Sequence, residues 1–536
     1  MRFLSVRLAV PMSMVAAAAL ALGVPGVASA KKAKAEVLEQ CSGPRIEAVG
    51  STFQAPLQFI WSGINSDKGN EVLDSGYNHS SDALACSGTQ GSKAKAEFYY
   101  NQEEINRGSG ACLKTLGEGV TTFGETKIVD GKEEIFPRVN KYPLCGTDEA
   151  PKQSVKESME KFADHGEGFE GGKGEAIESL PVAQGSEAII VHLPKDCLAT
   201  SEIAVGKKGK LTKLGRLALD QEVIAGIYEG KIKTWAEAMA AQGEDGKDVL
   251  TCTEGGESDT IRPVVRADKS GTTHIFKAFL LQVYTGAIPF EEFKEVNKGE
   301  KPCKEGDLEA GAERTWEEVS EGCENQRWPE EAHVLRPTET GNPGVVNEVN
   351  STESSIGYAD LSVASEFGYF SKKALGGGEN APGEQNKKFW AVVQNSAPGV
   401  KPATFLDPQT NGDVETPTES NCKDTKYVAA KGEAFPPEST RDDWSKVKGE
   451  NVSATYPICG VTYELAPRQE WYFLQPYGVS EARSLEIATS VHDYLSFITS
   501  KKGGQKELVG SDYAALPKDV AKEDERGAAE IGSKKA

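Results

Sequence analysis

The stretch 264–284 combines a β-branched pair, a charged turn and a run of apolar residues at helical spacing. This pattern predicts a strand, a turn and a helix that begins near Ser270 and Thr272. A helix start presents unpaired N–H groups and the positive end of the helix dipole, which together suit an anion. Arg266 adds a planar fork of donors that matches phosphate or carboxylate, and Asp268 is placed to orient it. An ordinary capped helix with a surface ion pair explains the same residues.

Three further segments place a Gly turn or an acid after a predicted strand. The first two turns are Gly50-Ser51-Thr52 and Gly108-Ser109-Gly110, and apolar residues at helical spacing follow each of them. In the third segment, Asp148 follows a short apolar run. A buried-type strand at 187–194 and an amphipathic helix at 217–232 continue the alternation. Strands that alternate with helices predict an α/β architecture.

The first thirty residues have the pattern of a secretory signal. Arg2 and Arg7 form a basic start, an apolar run covers 12–24, and Ala28-Ser29-Ala30 has the small-residue spacing of a cleavage site. A membrane anchor is the alternative, but the apolar run is shorter than the ~20 residues that a span needs. No Cys follows the small residues at once, so we expect export without a lipid anchor, to a periplasm or to the extracellular space.

Charge and cysteine content exclude several classes of function. The formal net charge of −21 argues against nucleic acid and anionic membranes as general partners. The chain has ten Cys, and an even number in an exported protein predicts disulfides. Because no CxxC pair and no HExxH motif occurs, the sequence predicts no metal site, and nothing in it calls for a cofactor.

Four stretches, in this order, resemble the phosphate-binding protein of the bacterial phosphate ABC transporter. They are Gly50–Leu57, Gly108–Ala111, Gly146–Pro151 and Arg266–Thr272. Scaffold positions of the same family are matched at 227–235, 356–358 and 512–517. The resemblance therefore runs from about Ile46 to Val520. It implies a periplasmic-binding-protein-like fold of type II, in which two α/β lobes joined by a hinge close over a central ligand cleft.

The resemblance also assigns roles to residues of the first lobe. It implies that Thr52, the Phe53 backbone N–H and the Ser109 hydroxyl bind phosphate oxygens. It implies that Asp148 accepts the proton that phosphate still carries. Ser80-Ser81 is a rival for the role of Ser109, because it also follows an apolar stretch, but the Gly-Ser-Gly turn fits better.

From the second lobe, the resemblance assigns phosphate binding to Arg266, Ser270, Gly271 and Thr272. It implies that Asp268 orients Arg266. Helix starts and charge-assisted bonds from Arg are physically suited to hold an oxyanion.

The chain departs from the family pattern at several positions. Lys269 stands where the family usually has Gly, and it either adds positive charge or points to solvent. Gln54 stands where Pro is common, and Cys112 follows the Ser109 loop. Long insertions are expected at about 62–95, 117–140, 295–335 and 411–450.

We expect a discontinuous first lobe, 45–187 with 397–520, a second lobe at 188–396 and a flexible tail at 521–536. The reason for this division is that the motifs before Glu187 and after Ile261 should face each other across a cleft. On this division six Cys fall in the first lobe and four in the second, so disulfides are expected to stay within lobes. Nearness in sequence favours the pairs Cys303–Cys323 and Cys422–Cys459.

The resemblance implies an exported, monomeric solute-binding protein that binds inorganic phosphate and passes it to the membrane subunits of an ABC transporter. A secreted phosphate scavenger or surface interaction protein, whose insertions carry the function, is the alternative with the same fold. An enzyme is a third hypothesis, because residues 268–272 are similar to the phosphorylated Asp loop of cation-pumping ATPases. Those pumps need many membrane spans, and this chain shows none, so we do not expect an enzyme.

Overall fold

A computed structural model of the chain describes residues 45–65, 71–72, 76–77, 97–103, 107–117, 124–129, 132–137, 142–163, 176–199, 202–205, 210–213, 216–242, 250–253, 255–290, 312–369, 387–395, 404–410, 419–429, 432–450, 455–468 and 481–532. The predicted signal at 1–30, Ser80-Ser81 and Cys303 lie outside the described residues. Among the described helices, none combines the length and the apolar character needed to cross a membrane.

Many of the strands in the described segments are short. In chain order they are β1 (Arg45–Gly50), β2 (Ile64–Asn65), β3 (Glu71–Val72), β4 (Glu97–Asn101), β5 (Gly124–Val129), β6 (Lys132–Pro137), β7 (Leu144–Thr147), β8 (Ile177–His192), β9 (Cys197–Ala199), β10 (Glu202–Val205), β11 (Lys210–Lys213), β12 (Ala218–Leu219), β13 (Leu250–Cys252), β14 (Arg262–Val264), β15 (Ile288–Pro289), β16 (Glu313–Arg314), β17 (Ser355–Asp360), β18 (Lys388–Trp390), β19 (Val392–Asn395), β20 (Thr404–Leu406), β21 (Lys426–Val428), β22 (Lys448–Glu450), β23 (Cys459–Pro467) and β24 (Tyr513–Ala514).

The helices alternate with these strands. They are α1 (Ala55–Ser62), α2 (Ser109–Thr115), α3 (Gln153–Ala163), α4 (Gln221–Tyr228), α5 (Trp235–Ala241), α6 (Gly271–Val283), α7 (Gly341–Ser351), α8 (Leu361–Glu366), α9 (Glu481–Thr499), α10 (Gly504–Glu507) and α11 (Lys518–Glu530). The helix predicted at 217–232 is shorter, because Ala218 and Leu219 pair with β19 as strand β12. The predicted α/β class is confirmed.

The central strands are paired in the order β14, β17, β8, β23, β7, β1 and β4, and β18 and β24 also pair with β8. Strand β1 is parallel to β4 and β7, and β14 is parallel to β17. Strand β8 is antiparallel to β17 and β23. Parallel strands therefore lie on both sides of a long antiparallel centre, and the turns that follow β1, β7 and β14 carry the sequence motifs.

Strand β8 is shared by two groups of strands. All of its residues are buried, as expected for a strand covered on both faces. Residues 177–186 pair with β23, and residues 187–192 pair with β17. The predicted boundary between the lobes, at 187–188, falls inside this strand. Because the pairing continues through β8, the limits of the two lobes stay a prediction.

An aromatic cluster holds α6 against the sheet. The ring of Phe276 stacks on Tyr358 with centroids 4.3 Å apart, and Tyr228 meets Phe276 edge-on at 4.8 Å. Such pairs add ~0.5–1.5 kcal/mol each beyond the area that they bury. The Tyr358 hydroxyl lies 2.6 Å from the Thr273 hydroxyl. These contacts fix the position of the first turn of α6.

The flexible tail predicted at 521–536 is wrong for residues 521–530, which belong to α11. This helix buries Val520, Asp524 and Ala528. Residues four apart lie on one face of a helix, so these three form a stripe against the rest of the protein. The prediction failed because an acid stands in the middle of that stripe, and the segment looked polar throughout.

Three disulfides lie within the described residues: Cys112–Cys145, Cys197–Cys252 and Cys422–Cys459. The predicted pair Cys422–Cys459 is confirmed. None of these three bridges joins a Cys of the predicted first lobe to a Cys of the predicted second lobe. The predicted pair Cys303–Cys323 involves a residue outside the described segments.

Candidate anion-binding site

The turn between β14 and α6 orients a buried guanidinium group. Nε of Arg266 donates to Oδ1 of Asp268 at 2.8 Å, and Nη2 donates to Oδ2 at 2.5 Å. Nη1 donates to the Thr272 hydroxyl at 3.1 Å. Ser270 caps α6, because its hydroxyl accepts a bond from the Thr273 N–H at 3.2 Å. Since Arg266 is only 2% exposed, its charge is held in one geometry, and the predicted orienting role of Asp268 is consistent with these contacts.

A buried carboxyl group stands at the end of β7. Oδ1 of Asp148 accepts bonds from the hydroxyls of Ser51 and Thr462 at 2.7 and 2.6 Å. Oδ2 accepts from Ser51 at 2.6 Å and from Ser109 at 3.3 Å. Burial raises the pKa of Asp148 to about 6, although these hydroxyl bonds and the charge of Arg266 lower it. Asp148 can therefore exchange a proton near neutral pH.

The start of α6 brings these two groups together. A Cβ atom on Gly271 would lie 2.6 Å from Asp148 Cβ and 2.6 Å from Ser109 Oγ. No real Cβ approaches so closely, so Gly at this position allows the contact. The Gly110 N–H donates to the Lys269 carbonyl at 3.3 Å, which joins the starts of α2 and α6. The Gly turns of the first predicted lobe thus meet the charged turn of the second.

Thr52 lies against a different helix of the second predicted lobe. Its hydroxyl accepts a bond from the Asn342 N–H at 3.0 Å, at the start of α7. The Asn342 side chain donates to the Thr272 hydroxyl at 3.3 Å. The Gly341 N–H donates to Oδ1 of Asp268 at 3.1 Å. The first turn of α7 therefore links Thr52 to the group around Arg266.

The structure buries every predicted site residue: Thr52, Phe53, Ser109, Asp148, Arg266, Asp268, Ser270, Gly271 and Thr272. One predicted donor has another partner here, because the Phe53 N–H donates to the Ser51 hydroxyl at 2.9 Å. Lys269 is 8% exposed, so the alternative that it simply points to solvent is wrong.

Sequence reasoning missed Ser51, Thr462 and Asn342 as members of the site. Ser51 adjoins Thr52 in the Gly turn, so its place in that turn is a signal that could have indicated it. Gln54 holds Thr462 in place, since its amide donates to the Thr462 hydroxyl at 2.6 Å. Only the pairing of β23 with β7 brings Thr462 to Asp148, and the sequence gives no signal of that pairing.

A cavity of about 400 Å³ opens beside Thr52. Both predicted lobes line it, with α1 on one side and the segment from Glu339 to Phe367 on the other. An ion pair joins Arg107 and Glu339 at 2.9 Å, and both side chains are partly exposed. Of the predicted site residues, Thr52 lines this cavity.

The site does not match the phosphorylated Asp loop of a pump. Both carboxylate oxygens of Asp268 accept bonds from Arg266, and Oδ1 also accepts from Gly341. A carboxylate held in this way is poorly placed to act as a nucleophile.

Comparison with known proteins gives the family. A family profile described as the PBP superfamily domain matches residues 158–428, about half of the chain. The chain belongs to this superfamily. The phosphate-binding protein PstS of Methanocaldococcus jannaschii is 25% identical over 307 residues, which cover 57% of this chain and 59% of the relative. The phosphate-binding protein PstS of Pasteurella multocida is 22% identical over 313 residues, which cover 57% of this chain and 62% of the relative.

The chain thus matches about three fifths of the length of these relatives. Both carry the name of a binding protein rather than of an enzyme. Among solved structures, a phosphate-binding protein from Stenotrophomonas maltophilia is 14% identical, with a TM-score of 0.46 and coverage of 90% of this chain and 93% of that chain.

Proposed function

We propose that this protein binds inorganic phosphate between Asp148 and Arg266 and serves ABC-type phosphate uptake as an exported receptor. The observation that carries the proposal is the meeting of a buried guanidinium, a buried carboxyl and the start of α6 at one point. Membership of the PBP superfamily and the names of the two relatives support it.

The donors at this point suit an oxyanion. The first N–H groups of a helix have no partner within the helix, and at α6 they belong to Gly271 and its neighbours. The hydroxyls of Ser109 and Thr52 lie on the facing turns. The guanidinium of Arg266 gives charge-assisted bonds, which are about twice as strong as neutral ones. An anion of phosphate size would receive donors from both predicted lobes.

The Asp148 carboxyl explains why the ligand would be phosphate rather than sulfate. Phosphate near neutral pH keeps a proton on part of its population, since the second pKa of a phosphoryl group is about 6. A carboxylate can accept that proton in a hydrogen bond. Sulfate carries no proton, so its oxygen and the carboxylate oxygen would meet without a hydrogen between them. A buried polar group left unpaired costs ~1–3 kcal/mol, and more when it is charged.

The transport role rests on the predicted signal at 1–30 and on the family. Export would place the receptor outside the membrane, where it could pass phosphate to membrane subunits. In cells that lack the gene, phosphate uptake at limiting phosphate should fall, and the full-length chain but not Arg266→Ala should restore it. Unchanged uptake in the deletion strain would contradict the transport role and favour a secreted scavenger.

Binding itself is tested on ligand-stripped protein by calorimetry with phosphate, sulfate and a small phosphoester. We expect phosphate to bind with the highest affinity. Arg266→Ala should weaken phosphate and sulfate together, because its charge does not distinguish them. Arg262→Ala is the matched control, since Arg262 lies on β14, directly before the turn that carries Arg266, and is exposed. Equal phosphate affinity in the two variants would remove Arg266 from the site.

A further inference from the structure

A second buried acid, Glu187, lies at the junction of the two predicted lobes. It stands on β8 directly opposite Asp360 of β17, and both residues are 0% exposed. Within the described part of the chain, neither carboxylate oxygen of Glu187 has a hydrogen-bond partner. An ionised carboxylate without partners is strongly disfavoured in a protein interior. Glu187 therefore keeps a proton more tightly than an exposed acid does.

Charged and titratable groups face this pair from several elements. They are Tyr358 of β17, Asp148 after β7, Arg266 before α6, Tyr456 before β23 and Tyr513 of β24. Burial raises the pKa of Glu187 well above 4.5, and the charges of Asp360 and Asp148 raise it further, whereas Arg266 lowers it. Arg266 is the positive group in this set, and Asp268 already binds it. Little positive charge therefore remains to offset an ionised Glu187.

Hydrogen bonds decide which acid of the pair holds its proton more tightly. Oδ2 of Asp360 accepts bonds from the Ser362 hydroxyl at 2.6 Å, the Val363 N–H at 3.3 Å and the Tyr513 hydroxyl at 3.2 Å. Bonds of this kind favour the charged form of a carboxyl group. Glu187 has none of them. Burial raises the pKa of both carboxyls, and Glu187, which lacks donors, holds its proton more tightly than Asp360 does.

The Glu187–Asp360 pair is connected to the proposed ligand site. The Tyr513 hydroxyl donates to the Phe53 carbonyl as well as contacting Asp360. The Tyr358 hydroxyl accepts a bond from the Arg266 N–H at 3.3 Å. An anion between Asp148 and Arg266 would bring further negative charge close to Glu187. Binding and ionisation of Glu187 therefore oppose each other.

We propose that Glu187 sets the pH dependence of phosphate binding, because it must carry a proton for the anion to bind. This inference rests on the proposed function. In alkaline solution, where Glu187 is ionised, a water molecule gives up a proton as phosphate enters. One O–H bond of water breaks, one O–H bond forms on a carboxylate oxygen of Glu187, and the buffer neutralises the hydroxide that is left. By linkage, the fall of log affinity with pH measures the number of protons taken up.

The test compares wild type with Glu187→Gln, which keeps the shape of the side chain but cannot ionise. Phosphate affinity is measured by calorimetry at about pH 6 to about pH 9, in pairs of buffers with different ionisation enthalpies. The ligand contributes its own pH dependence equally to both proteins. We expect equal affinities at about pH 6, and at about pH 9 a gain of at least about tenfold for the variant, with up to one proton fewer taken up per phosphate.

Two further variants keep the test decisive. Glu187→Leu removes the polar group altogether and should show the same loss of pH dependence, so it replaces the Gln variant if that protein does not fold. Asp524→Asn is the matched control. Asp524 on α11 is also 0% exposed, with neither oxygen partnered among the described residues, but the charges that act on it come from Glu525 and Glu464. It should keep the pH profile of wild type.

Identical pH profiles and proton counts in wild type and both Glu187 variants would overturn the role of Glu187 and leave phosphate binding intact. A wild-type protein that binds no phosphate at any pH would instead overturn the proposed function, and this inference with it.

Discussion

Asp148→Asn is expected to stabilise the ligand-free protein relative to wild type as the pH rises. Burial raises the pKa of Asp148 from 3.8 to about 6. The folded protein thus holds this proton more tightly than the unfolded chain does. Stability from this group is therefore greatest when it is protonated in both states, below pH 3.8. This contribution to stability falls as the pH rises from 3.8 to about 6, and above that value it no longer changes with pH.

The magnitude follows from the size of the shift. A change of about 2 pKa units corresponds to ~3 kcal/mol, at ~1.4 kcal/mol per unit. Asn cannot ionise, so the variant avoids this loss. Its amide oxygen can still accept a bond from a hydroxyl of Ser51 or Thr462. The difference in unfolding free energy, variant minus wild type, should grow by ~2–3 kcal/mol between about pH 4 and about pH 7.5.

Urea unfolding of ligand-stripped protein at several pH values measures this difference. Any constant offset, caused by a poorer fit of the amide, does not affect its slope with pH. Titration of all other groups is shared by the two proteins and largely cancels. A difference that stays flat between about pH 4 and about pH 7.5 would refute the description of Asp148 as a buried acid with a raised pKa.

Three other substitutions test the site and its surroundings. Gly271→Ala would place a Cβ 2.6 Å from atoms of Asp148 and Ser109, so phosphate affinity measured by calorimetry should fall by about tenfold or more; wild-type affinity would contradict the close approach. Burial raises the pKa of Glu464 to about 8, so the unfolding free energy of Glu464→Gln in urea, relative to that of wild type, should rise by ~1.4 kcal/mol for each pH unit between 4.5 and about 8. A difference that does not change with pH would be inconsistent with that burial. Thr462→Val removes a hydroxyl that lowers the pKa of Asp148, so carbon NMR should find that pKa above about 6, and a lower value would count against the contact.

The local parts of the site could be predicted from sequence. The turn from Arg266 to Thr272 and the Gly turns at 50–52 and 108–110 carry their chemistry within a few residues, so motif and helix-start arguments reach them. Contacts between distant segments could not be predicted in this way. Thr462 donates to Asp148 across 314 residues of sequence, and no local pattern indicates that pairing.

Two buried acids show a common limit of sequence patterns. The buried strand predicted at 187–194 is confirmed as part of β8, but the pattern does not indicate that the lone acid before the apolar run 188–191 is buried without a hydrogen-bond partner for its carboxyl group among the described residues. In the predicted tail, Asp524 made a helix with one buried face look like a solvated segment. Both carboxyls are buried, and patterns of hydrophobicity do not show which acids lose their water.

The central claim is that Asp148 and Arg266 hold one phosphate ion and distinguish it from sulfate. Calorimetric titration of ligand-stripped wild type and Asp148→Asn with both anions tests it most directly. Wild type should prefer phosphate by at least about tenfold, since ~1.4 kcal/mol corresponds to a factor of ten. In Asp148→Asn, sulfate binding should improve relative to phosphate, because the repulsion is gone and the amide supplies a donor. A phosphate-to-sulfate ratio that is the same in the two proteins would contradict the claim.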